Sequence, residues 1–152
     1  MYTKILLPLD ASGVPEGVVG HAIALAKNMG ASVLGLRVIP IVETGETFFE
    51  RIQVEIGSYG ARRRDEALTH LQELGEQFGE AGVPFTGETL FSGKSEADAI
   101  TNYARDKGCD LIVLPILNQS SFSRWLMGNV VDKVCRRSTV PVLLVKADTL
   151  GR

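Results

Sequence analysis

The chain has 152 residues, 45% of them hydrophobic and 22% charged, with a formal net charge of -2. That length fits one domain, residues 1–152, with a sizeable core, and the near-neutral charge excludes a general nucleic-acid or membrane-surface binder, which needs a basic excess. No apolar run approaches the roughly 18 residues that span a bilayer. No secretory leader is visible, because Pro8 and Asp10 interrupt the only apolar run near the start. Cys109 and Cys135 sit beside apolar residues without C-x-x-C spacing, which predicts buried free thiols and a cytoplasmic protein.

Strand and helix patterns alternate along the chain. Lys4 to Leu9 is a nearly unbroken apolar run, as expected of a strand buried on both faces of a parallel sheet. A helix follows from about Pro15 to Met29, with Val18, Ala22, Leu25 and Met29 at helical spacing, Pro15 in the first turn and Gly30 at the stop. Ser32 to Val38 is the second strand. Residues Ile39 to Ser58 give no clear pattern. A second helix runs from about Ala61 to Ala81 on a stripe of Leu68, Leu71, Leu74 and Phe78, with Gly82 as its stop.

Pro84 to Phe91 reads as the third strand. Ser95 with Asp98 marks a helix start, and Gly108 ends that helix. Asp110 to Pro115 is the fourth strand, about Arg124 to Arg136 the fourth helix, and Val140 to Val145 the fifth strand. The alternation predicts an α/β fold with a parallel five-stranded sheet, right-handed crossovers and helices on both faces.

Asp10 ends the first strand, where open parallel sheets bind their ligands. The alternative is that it only satisfies backbone N–H groups at the next helix start. Gly93-Lys94-Ser95 lacks the upstream glycine of a phosphate-binding loop, because Glu88 stands there, and Ser95 serves as a helix cap. His21 and His70 have no ligand partners at metal spacing and read as surface or boundary residues. Arg62, Arg63 and Arg64 precede Asp65 and Glu66, the pattern of a solvated helix face with local charge pairing. The segment from Pro115 to Asn129 leads from a strand into a helix. Such a loop suits an anion, and Ser120, Ser121 and Ser123 could add hydroxyl contacts; a solvated serine-rich connection is the other reading.

With those residues in view, the chain resembles the universal stress protein family over essentially its whole length. The family's Asp-x-Ser after the first strand is matched by Asp10-Ala11-Ser12, its Val before a Pro by Val38-Ile39-Pro40, and its final Pro-Val-Leu strand by Pro141-Val142-Leu143. The resemblance implies a Rossmann-like sheet of order 3-2-1-4-5, akin to the adenine nucleotide alpha hydrolases, and a homodimer through the edge strand Val140 to Val145. It also implies an adenine site at Asp10 and Val38, with ATP or AMP as the ligand.

The family's phosphate loop carries two glycines and a final Gly-Ser or Gly-Thr. Here Pro115 and Asn118 replace the two glycines, Gly128 is kept, Asn129 replaces the hydroxyl residue and Val130 follows it. Proline has no N–H to offer a phosphate, and asparagine brings a side chain where glycine leaves space. The reading is therefore a non-catalytic stress-response or signalling domain with weak or absent nucleotide binding, no cofactor counted as resident and an unidentified protein partner. One alternative is an ATP- or AMP-binding member that uses Asn118, Ser120, Ser121 and Asn129 in the loop. The other is a slow ATP hydrolase, for which no general base, metal cluster or arginine finger beyond Arg124 is visible.

Overall fold

A strand with no polar side must be covered on both faces, and Ile5, Leu6, Leu7 and Leu9 of β1 (Lys4–Leu9) are all buried. The structure is a computed structural model that describes residues 1–41, 58–117 and 129–147. It contains α1 (Glu16–Met29), β2 (Ser32–Pro40), α2 (Ser58–Glu80), β3 (Phe85–Ser92), α3 (Glu96–Asp106), β4 (Leu111–Leu117), α4 (Asn129–Arg137) and β5 (Val142–Ala147). The strands form one parallel sheet in the order β3-β2-β1-β4-β5, as expected. Successive side chains alternate between two cores. Ile5, Leu7 and Leu9 pack with α1 and α2, while Leu6 packs with Ala97, Ile100 and Val134 of α3 and α4.

Pro15 is the N-cap of α1, with φ -58 and ψ 140, and not part of its first turn. Its carbonyl accepts the N–H groups of Val18 and Val19, so the helix starts without a side-chain cap. Gly30 stops it at φ +66. Val18, Ala22 and Ala26 are buried, whereas Met29 is exposed.

The second helix starts at Ser58, ahead of the expected Ala61. Its buried stripe is Ala67, Leu71, Leu74 and Phe78. Leu68 is 42% exposed and does not belong to the stripe, because it lies about 100° round the helix from Ala67. Arg62 pairs with Glu66 one turn on, as expected, but Arg63 is half-buried and donates to the Pro40 carbonyl. In α3 the Ser95 hydroxyl accepts the Asp98 N–H at 3.2 Å, the predicted cap.

The fourth strand runs past the expected stop at Pro115 to Leu117. The expected helix start at Arg124 lies outside the described residues. Val140 is held in a turn by Ser138, so the fifth strand begins at Val142. Cys109 is buried as expected. Cys135 is exposed, because α4 buries Val130, Val131 and Val134 and turns the next residue outward. His21 is exposed and His70 half-buried.

Candidate functional site

β1 and β4 are bridged only at Ile5↔Leu111 and Leu6↔Ile112, although β1 continues to Leu9 and β4 to Leu117. Each keeps its outer neighbour to the end: Leu9 stays opposite Arg37, and Leu117 opposite Ala147. The central pair therefore parts like a fork. The hydrogen-bond pattern explains why. Ser32 donates to the Thr3 carbonyl, and Ile112 donates to the Pro141 carbonyl. By alternation, even-numbered residues of β1 and odd-numbered N–H groups of β4 face each other. The next rung would need residue 8 to donate to Val113 and residue 115 to donate to residue 8. Both positions are proline, so both donors are missing. This parting lies at the carboxyl ends of the strands, between the two whose connections leave in opposite directions, the crevice position at which open parallel sheets bind ligands.

Asp10 stands at the mouth of this fork and is only 8% exposed. Its Oδ1 accepts the Ser12 N–H at 2.8 Å and the Ser12 hydroxyl at 2.6 Å. Gly13, at φ +93, donates its N–H to the Asp10 carbonyl at 3.0 Å. The carboxylate thus organises its own turn and leaves the start of α1 to Pro15.

Val38 is buried in β2, and the β1–β2 register continued by one residue places it opposite Asp10. Val130, at the start of α4, belongs to the same apolar cluster as Val38 and Leu114. The structure thus brings Asp10, Val38 and Val130 to one end of the sheet. Pro115 is buried on the far side of the fork, opposite Val145. Asn118, Ser120, Ser121 and Gly128 lie outside the described residues, and Asn129 is described only as the first residue of α4.

Two residues at this end were passed over in the sequence. Pro8 completes the missing rung, and its signal was a proline inside a run otherwise fit for a central strand. Arg37 is buried beside Leu9, and its Nη1 donates to the Val38 carbonyl. Its signal was a lone charge between Leu36 and Val38. Among the described residues no group of three His, Cys, Asp or Glu side chains could hold a metal ion, and no helix is long and apolar enough to cross a membrane.

A model of the universal stress protein family matches residues 1–146. The universal stress protein YxiE of Bacillus subtilis is 30% identical over 96% of this chain and 100% of its own length. The universal stress protein MJ0531 of Methanocaldococcus jannaschii is also 30% identical, over 96% of this chain and 83% of its own. A solved universal stress protein of Archaeoglobus fulgidus, in complex with dAMP, superposes with a TM-score of 0.68 at 22% identity, covering 95% of this chain and 98% of that one.

Proposed function

The chain belongs to the universal stress protein family, and on that premise we propose that it is a non-catalytic stress-response or signalling domain whose crevice keeps an adenine end and has lost phosphate grip. The observation that carries this reading is Pro115. It stands where the family has the first loop glycine, it is built into β4 opposite Val145, and it has no N–H to give a phosphate. Asp10 and Val38 lie side by side at the other wall, and the A. fulgidus relative supplies the precedent of an adenine nucleotide. We place the protein in the cytoplasm, as a homodimer through β5.

Titration of the purified protein with ATP and magnesium in a calorimeter tests the nucleotide reading. Each lost charge-assisted hydrogen bond costs about 1.5–3 kcal/mol, so losing two weakens ATP by a factor of roughly 100 or more relative to a member with both glycines. Binding should depend little on the number of phosphates, and Pro115→Gly with Asn118→Gly should raise ATP affinity. Tight ATP binding that disappears when the terminal phosphates are removed would replace this reading with one in which Asn118, Ser120, Ser121 and Asn129 rebuild the phosphate site. Release of inorganic phosphate in step with the amount of protein would make it a slow ATP hydrolase.

A further inference from the structure

The turn that carries Asp10 has a histidine against it. A Cβ on Gly13 would lie 3.8 Å from His70 Nδ1 and 4.0 Å from Cε1, so the imidazole of α2 faces the backbone of the turn. Gly13 takes φ +93 and donates its N–H to the Asp10 carbonyl, while Ser12 holds Asp10 Oδ1. A cavity of about 180 Å³ between α1 and α2 adjoins this contact, and Ser12, Glu16, His70 and Glu73 are among the residues that line it. Glu16 is the first residue of α1, and Glu73 is one helical turn beyond His70 in α2.

The groups around the ring are acidic on every side. From α1 the facing group is Glu16. From α2 they are Glu73 and, one turn earlier, Glu66, which is taken up by Arg62 at 3.5 Å. From the turn it is Asp10, whose Oδ1 is taken up by Ser12. Among the described residues no lysine or arginine lines the cavity. An imidazolium at His70 thus meets one carboxylate from its own helix and one from the helix that begins after the turn. Histidine is the side chain that ordinarily changes charge between about pH 5 and 8. The attraction is present while the ring is charged and is lost as pH rises through its titration. The chain's other histidine, His21, does not line this cavity, and its Nδ1 lies 2.8 Å from the Gly17 carbonyl.

We propose that His70 is a proton-operated latch on the Asp10 turn: in its charged form it ties α2 to the start of α1 through Glu73 and Glu16, stiffens the turn, and so strengthens binding at the Asp10 wall of the crevice. The last step rests on the reading that this wall takes an adenine nucleoside; the latch itself does not.

The test titrates the full chain, labelled for amide and imidazole spectra, from about pH 8 to about pH 5.5. The Ser12 and Gly13 amides should shift with the same midpoint as the His70 ring. The Gly13 amide, bonded to the Asp10 carbonyl, should exchange more slowly in the charged form once the intrinsic effect of pH is removed. His70→Gln should abolish both effects, Glu16→Gln with Glu73→Gln should reduce them, and His21→Gln should leave them intact. Adenosine should bind about two- to fivefold more tightly at the acid end, because exposed ion pairs are weak, and His70→Gln should remove that difference. Turn amides that still titrate in His70→Gln, that exchange equally in both forms, or that respond in full without the two glutamates would overturn the latch. Equal adenosine affinity at both ends would overturn its link to the crevice. Adenosine that fails to bind at any pH would instead count against the adenine reading, and the amide titration would then decide the latch alone.

Discussion

Phe85 shows how one side chain fixes its neighbours. Its ring stacks on Phe78 with centroids 5.0 Å apart and lies across Gly35 of β2. A Cβ on Gly35 would stand 2.6 Å from Phe85 Cζ and 3.1 Å from Leu71 Cδ2. Gly35→Ala should therefore cost on the order of 1–3 kcal/mol, seen as a lower urea midpoint, and Phe85→Leu in the same chain should recover part of it. An unchanged midpoint for Gly35→Ala alone would mean that the ring moves aside freely.

Asp110 does comparable work at the opposite end of the sheet from the crevice. Burial pushes its carboxyl up, but the N–H groups of Thr3 and Lys4 and the Thr3 hydroxyl outweigh that and hold it below the ordinary carboxylate range. A carboxylate depressed in the folded state stabilises fully above its unfolded pKa, about 3.9, and that stability is lost as pH falls through the folded value. Asp110→Ala should lower stability by about 1–2 kcal/mol at pH 7 and by less at pH 3, when unfolding is followed at both. An equal loss at both would assign the effect to packing.

At the scale of elements, the fork between β1 and β4 is a matter of two missing donors. Pro8→Val with Pro115→Val would supply both and extend the ladder by a rung. The amides at 8 and 115 should then exchange slowly with solvent, and the crevice should narrow. Fast exchange at both would show that something other than the missing donors, such as the turn at Asp10, holds the strands apart. The pairing of α3 with α4 rests partly on Arg137, whose Nη1 lies 2.6 Å from Asp98 Oδ1 and, by its hydrogen bond, holds that carboxyl below its ordinary value. Both partners are half in solvent, so this contact orients the helices more than it stabilises them.

For the whole molecule, the question is what covers β5. Among the described residues β5 is the outer strand on this side, and Ile116, Leu143 and Leu144 are each more than a third exposed there. A homodimer through this strand would pair the edge and bury these side chains. Light scattering at micromolar concentration should give twice 16.4 kDa, and Val142→Asp or Leu144→Asp should shift the protein toward the monomer. A wild-type monomer at that concentration would leave β5 as a bare edge and remove the dimer from the proposed function.

The sequence by itself determined the class of the fold and the order of its elements. The apolar runs at Lys4–Leu9 and Leu111–Leu114 have no polar side, and the helical stripes end at Gly30, Gly82 and Gly108, which take positive φ. Periodicity and backbone permission are local properties, and residue identity carries them. Local pattern could not say that Leu68 lies outside the stripe, that Cys135 faces solvent or that α2 begins at Ser58, because these depend on which side the sheet lies. Of the site, the sequence marked Asp10 by its place at the end of an apolar strand, and Val38 and Pro115 through a resemblance, without saying why the two central strands part. That was decided by register: Pro8 and Pro115 are 107 residues apart in the chain and fall on one rung only when β1 and β4 pair. A hydrogen bond that cannot form has no signature in either strand alone.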